Sequence, residues 1–483
     1  MERRRRTGGE RGIRGIEENT MAILDTSGFS NSKISHHLDD DRLAFLEAVR
    51  TASLLPDNGS APTGKMCEAV FRILKDVDSL DLIIESYQLL VELDKRFPRV
   101  HLSKQEQADS SLPSRIISQV IMVEEAWVPF NLGLDSYNEK GAATNHSGSS
   151  IDSSGFHALI REIAEVLKGT KSEANETTFL KNMLLLQYLI SVLEGDFIPR
   201  NCAYQESMNW TLLREALLHM LLVFLQGSRK IMYKGLVKDC LSLMCNMSQS
   251  TTFSEETSNH ESSSAELLHE INSAIVLVLP DVKKSTCTVL KKFLLMIMEL
   301  DSSRRVADQQ GHTTRADGVR TPVVDIILDE LIYDNDILCS FLQVFDPKWK
   351  LEIILQYFQK YITKTVQTRR SIGTINTENF DGVLKCLSNS NSTRSIIKKI
   401  STEVVQLLLA YAFQAYLAMS YGASEGSSDM MEDGKSNSVV EVCKNVVSAF
   451  TCLRREDPEH RGLVPRQGST FYSCYHPLNK IVG

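Results

Sequence analysis

The chain has 483 residues, 42% of them hydrophobic and 24% charged, with a net charge of −8 and a pI near 5.8. Those proportions belong to a folded protein with a sizeable core. The acidic sign argues against a dominant nucleic-acid-binding surface, though not against a local basic patch.

The 10 cysteines include no CxxC pair. That spacing argues against a zinc ribbon or a disulfide framework and points to a reducing compartment, cytosol or nucleus. No secretory h-region and no run of 18 apolar residues is present, so no membrane span is expected.

Residues 1–37 open with MERRRRTGGERGIRGIEENT, basic and glycine-rich, and are expected to form a disordered extension. The first helix is expected over residues 41–49, behind acidic cap candidates at Asp39 to Asp41, and to end at the breaker cluster 54–59. Residues 59–65, GSAPTGK, have the spacing of a phosphate-binding P-loop. The motif requires Ser or Thr next, to hold magnesium, and Met66 stands there. It also requires a preceding buried strand, where this chain has a helix followed by Pro56 and Asp57. The competing reading is a loop in which Thr63 caps the helix carrying Val70, Phe71, Ile73 and Leu74.

Helices are then expected at 79–97 and 114–127, stopped by Pro98 and Pro129. Residues 134–155 are rich in Ser, Asn and Gly and read as a mobile insert. Helices follow at 156–167, 178–193, 208–224 and 230–247. A second insert is expected at 248–264. Two helices, 265–279 and 282–300, flank Pro280 as a break, and 301–320 reads as a charged connector.

Residues 317–362 carry the clearest signals. Thr321-Pro322 and Asp346-Pro347 are each a cap followed by proline at the first helical position, where the missing N–H costs nothing. Val324, Ile327, Leu328 and Leu331 recur on one helical face. In the helix opened by Asp346, the apolar residues from Trp349 to Ile362 cover an arc of about 240°, wider than the stripe of about 100° that one buried side requires. This helix is expected to have neighbours on two sides. Inserts at 363–377 and 422–438 separate further helices at 380–387, 402–421 and 439–453, and residues 455–483 read as a loose tail.

Neither sustained period-two alternation nor a βαβ rhythm is visible, so a sheet is not expected. The roughly fifteen expected helices suit an all-α fold, an irregular armadillo- or HEAT-like array with long polar inserts, forming one body over residues 38–454. No HExxH, GxSxG or metal-ligand spacing occurs, so catalytic, cofactor-binding and metal residues are expected to be none. Lys284, Lys291 and Lys292 share a helix side, which is either a solvated face or a weak contact to nucleic-acid backbone.

Whole phrases carry a resemblance: RLAFLEAVRTASLLPDNG at 42–59, MNWTLLREALL at 208–218, LLMIMELDSS at 294–303, DGVRTPVVDIILDELIYD at 317–334 and DPKWKLEIILQYFQKYI at 346–362. Over about residues 21–453 the chain resembles the plant family of negative regulators of systemic acquired resistance, leucine-rich nuclear proteins. The arginine-rich start and the tail after Arg455 depart from that pattern. The resemblance implies an armadillo-like fold, a nuclear location, and repression of defence genes and of the somatic recombination linked to them. It also implies membership in the structural-maintenance-of-chromosomes complex of the five/six type, which acts in DNA repair. The partners so implied are other subunits of that complex and chromatin proteins, with DNA touched indirectly and no small-molecule substrate. No site residue transfers, because the family has no catalytic motif to match. Arg320, Lys348 and Lys350 flank the central stretch without serving its core, and are the expected partner-binding residues. The rival readings are a direct DNA-binding repressor and a cytosolic helical-repeat adaptor.

Overall fold

The computed structural model describes residues 18–24, 35–55, 59–107, 115–123, 126–132, 150–168, 176–228, 230–250, 266–314, 322–331, 335–362, 379–422 and 432–456. They are overwhelmingly helical. The sequence reads as one body over 38–454, whereas the chain clusters into two compact units, Met1–Ile327 and Leu328–Gly483.

The first unit holds α1 (residues 18–24), α2 (Ser35–Ser53), α3 (Gly64–Asp76), α4 (Leu80–Arg96), β1 (Val100–Gln107) and β2 (Arg115–Met122). It continues with α5 (Ser153–Leu167), α6 (Glu176–Ser207), α7 (Trp210–Arg214), α8 (Leu217–Ser228), α9 (Lys230–Ser250) and α10 (Glu266–Gln309). α6 is the axis. It packs against α3, α4, α5, α7, α8, α10 and both strands. Its sequence accounts for this: Leu180, Met183, Leu186, Tyr188, Leu189, Ile190, Leu193 and Phe197 point all around the helix and are all buried. A helix apolar on every side is stable only when enclosed.

Several expectations are corrected here. Of residues 114–127, the described ones, 115–123 and 126–127, are not helical. β1 and β2 form an antiparallel hairpin, with Val100 opposite Met122 and Gln107 opposite Arg115. Val100 faces inward, and the hairpin lies on α6. Pro280 does not end a helix, since α10 runs through it from Glu266 to Gln309 and takes in the first part of the expected connector. The helix survives because α10 packs along its length on α6 and α9, with Val282 buried just after the proline, although Leu277 and Val278 before it are exposed. α6 likewise passes through Pro199, where Phe197 and Arg200 are buried. Residues 208–224 divide into α7 and α8.

The extension expected to be disordered contains α1, with Thr20 and Leu24 buried, and the start of α2. The end of the first insert is ordered: Phe130 and Ile151 form a parallel bridge, and Asp152 Oδ1 accepts from Gly155 N at 2.7 Å to cap α5. Residues 432–438, read as insert, belong to the last helix. Insert residues 134–149, 251–264, 363–377 and 423–431 and the tail from 457 lie outside the described residues.

The division between units falls within α11 (Val323–Leu331), whose first N–H donates to Asp301 Oδ2 at 2.9 Å. The second unit contains α12 (Asn335–Val344), α13 (Pro347–Tyr361), α14 (Phe380–Leu387), α15 (Ser390–Ile397), α16 (Thr402–Gly422) and α17 (Glu432–Glu456). α13 begins at Pro347 behind an extended Asp346, and packs on α16 and α14, the two neighbours its wide apolar arc requires. Its buried residues are Ile353, Ile354, Leu355, Tyr357 and Phe358. Residues 402–420 of α16 are long and apolar enough to cross a membrane by composition. Val405, Leu408, Leu409 and Ala412 are instead buried in a helix packed on α13 and α17.

Candidate functional site

Of the three expected partner-binding cations, Arg320 lies outside the described residues. Lys348 is exposed on the first turn of α13, with Nζ 5.9 Å from the Trp349 ring centre. Lys350 is half-buried, and its Nζ stands 5.5 Å from the ring centre of Tyr411 on α16. Burial lowers its pKa, and nearby Asp346 works the other way. Tyr411 is held in turn, its hydroxyl accepting from Gln343 Nε2 at 3.4 Å. Lys350 therefore contributes to the α13–α16 packing as well as to the surface, whereas Lys348 belongs to the surface alone.

The P-loop-like string serves helix capping. Thr63 Oγ1 accepts from Met66 N at 3.4 Å, and Gly64 begins α3. The adjacent hollow, lined by Ser53, Ser60, Pro62 and Met66, has a volume near 10 Å³. That is room for about one water and far too little for a nucleotide. The basic stripe on α10 is partly neutralised, because Lys292 Nζ pairs with both oxygens of Glu194 at 3.0 and 3.2 Å. Lys284 is exposed.

The conspicuous chemistry lies inside the first unit, where sequence reasoning did not look. Arg99 Nη2 bridges both oxygens of Asp94 at 2.8 and 3.0 Å and reaches Tyr188 Oη at 3.5 Å. Burial pushes the Asp94 carboxyl above the usual range against the pull of Arg99, and pushes the Cys67 thiol up to about 12. A thiol at that pKa is no nucleophile. Asp196 is likewise raised by burial. Its Oδ1 accepts from Arg200 Nε at 3.1 Å and its Oδ2 from Leu217 N at 2.8 Å, so it caps α8. Gln187 makes four bonds: it accepts from Tyr87 Oη and Ser285 Oγ, and donates to Thr286 Oγ1 and the Val282 carbonyl. His157 Nε2 meets Asp239 Oδ2 at 2.9 Å between α5 and α9. Among the described residues, no group of three or more His, Cys, Asp or Glu is placed to hold a metal ion.

Little in the sequence marks these groups: Gln187 and His157 meet partners far along the chain, and Asp94 and Asp196 pair with Arg99 and Arg200 at short spacings that do not by themselves signal burial. Their arrangement is that of a helical protein whose buried polar residues fasten helices to one another. Comparison with known proteins carries this further. Residues 99–347 match the SNI1 middle domain, and residues 361–471 match the SNI1 C-terminal domain, well into the tail that reads as departing from the family. The chain is 41% identical over 446 residues to the negative regulator of systemic acquired resistance SNI1 of Arabidopsis thaliana, covering 92% of this chain and 90% of that protein. No solved structure matches it. The chain belongs to the SNI1 family.

Proposed function

We propose that this chain is a negative regulator of systemic acquired resistance that works as a non-enzymatic nuclear scaffold. It represses defence genes and limits somatic recombination. It does so, in this reading, as a subunit of the structural-maintenance-of-chromosomes complex of the five/six type, through which it also acts in DNA repair. The observation that carries the reading is the 41% identity, spread over nearly the whole length of both proteins. Two further observations support a binding role. The buried ionisable groups of the first unit are engaged in packing, and the net charge of −8 favours protein partners over direct DNA contact. Partner contact is assigned to Arg320, Lys348 and Lys350, with the exposed Lys348 first among them.

The test is complementation. Expressed in a plant lacking its own SNI1, this chain should return defence-gene transcripts and recombination frequency to their resting levels. Unchanged transcripts, from a fusion seen to accumulate in nuclei, would contradict the proposal.

A further inference from the structure

Met122 ends β2 in a run of apolar side chains open to solvent: Ile121 is 39% exposed, Met122 51% and Val123 50%. Its sulfur has a fixed neighbour. Arg200 Nη2 stands 3.0 Å from Met122 Sδ. The Arg200 side chain is 4% exposed and cannot swing away. Its Nε is bonded to Asp196 and its Nη1 donates to the Leu212 carbonyl at 3.3 Å. Asp196 is itself locked to Leu217 N. The sulfur of this half-exposed methionine thus has one side covered by a buried guanidinium.

A methionine sulfur carries two lone pairs. Oxygen transfer to one gives one sulfoxide epimer, and transfer to the other gives the second. In an unfolded chain both are open. In this fold the guanidinium sits over one of them, and a small oxidant arriving from solvent meets the other. We propose that Met122 is an oxidation site for hydroperoxides that yields essentially a single sulfoxide epimer. In the step, the sulfur lone pair attacks one peroxide oxygen. The S–O bond forms as the O–O bond breaks, and the sulfur loses two electrons. The departing oxygen takes up the proton and leaves as water from hydrogen peroxide, or as an alcohol from an alkyl hydroperoxide. The product replaces an apolar group at the root of the hairpin with a polar, chiral one, so the exposed run from Ile121 to Val123 changes character at its centre.

The experiment uses the full chain and limiting hydrogen peroxide, followed by digestion and mass spectrometry. The sulfoxide peptides are then treated with the two epimer-specific methionine sulfoxide reductases separately. Met419, 43% exposed, serves as the exposure-matched control, and Met183 and Met244, 0% and 2% exposed, as the buried ones. Met122 should be oxidised well ahead of Met183 and Met244. One reductase should then clear about nine-tenths of the Met122 sulfoxide and the other about a tenth, while each clears about half of that at Met419. Oxidation in concentrated denaturant should abolish the bias at Met122. An even epimer mixture at Met122 in the folded chain would overturn the proposal. So would a bias that persists in denaturant, or oxidation no faster than at Met183.

Discussion

Gln187 on α6 and Thr286 on α10 meet through a 2.8 Å hydrogen bond from Nε2 to Oγ1, in an interface where both side chains are buried. The Thr286 hydroxyl donates its own hydrogen bond to the Val282 carbonyl at 2.7 Å, so it accepts from the glutamine. With Tyr87 and Ser285 on the other end of the amide, one side chain ties together α4, α6 and α10. Gln187→Ala should lower stability by about 2–4 kcal/mol, from the cavity and the unmet polar groups. Gln187→Glu puts a carboxylate against a carbonyl that needs a donor. Its folded-state pKa is then raised above the unfolded value, so the stability of this variant is greatest at acid pH and falls as pH rises. Urea melts between about pH 5 and pH 8 check the sign.

Asp94 and Arg99 make a pH prediction opposite to the usual one for an ion pair. Because burial raises the Asp94 pKa, the native state holds its proton more tightly than the unfolded chain does. The stability this group contributes is therefore full below its unfolded pKa and is lost as pH rises through the folded value. Asp94→Asn removes the titration and should cost about 2 kcal/mol, less than for a fully enclosed pair, since the Asp94 side chain is 31% exposed. The stability difference between wild type and this variant should shrink as pH rises from the acid side. A difference that grows with pH would show Arg99 outweighing burial.

Lys348 and Lys350 should separate in a charge-reversal experiment. Lys350→Glu loses the approach to Tyr411 and puts a carboxylate in a half-buried place, lowering stability by about 1 kcal/mol or more. Lys348→Glu should leave the thermal midpoint nearly unchanged while weakening partner pull-down. Equal loss of stability in both would mean that Lys348 also belongs to the core.

Gly235 is a close-approach position. A Cβ there would come within 3.1 Å of His157 Cε1, on the ring that meets Asp239. Alanine in a helix is worth about 1 kcal/mol over glycine, yet Gly235→Ala should not deliver that gain, because the imidazole must yield. In a His157→Ala background the gain should return, and chemical denaturation of the four members of this double-mutant cycle measures it.

The legible parts of the fold were those whose signals are local. Thr63 caps α3, and Asp346-Pro347 opens α13, whose apolar arc correctly implied two neighbours. The hairpin was not legible because Ile116, Ile117, Val120 and Ile121 stand at i, i+1, i+4 and i+5, which reads as a helical face, and no alternation signals a strand. Pro280 was misread as an end because a proline's cost is local, while the packing of α10 on α6 and α9 that outweighs it is not. Of the expected partner-binding residues, Lys348 lies at the surface, while the lean of Lys350 onto Tyr411 spans a sequence separation no pattern reveals. The fastening at Gln187 was invisible for the same reason, whereas Asp94 and Asp196 pair with arginines only a helical turn or so away, a spacing that does not by itself signal burial.

Affinity purification of the tagged chain from plant nuclei, with mass spectrometry of what accompanies it, tests the scaffold reading most directly. The expected result is stoichiometric recovery of structural-maintenance-of-chromosomes subunits, surviving nuclease treatment and diminished by Lys348→Glu. Recovery of the chain alone, or of partners lost whenever DNA is digested, would contradict it.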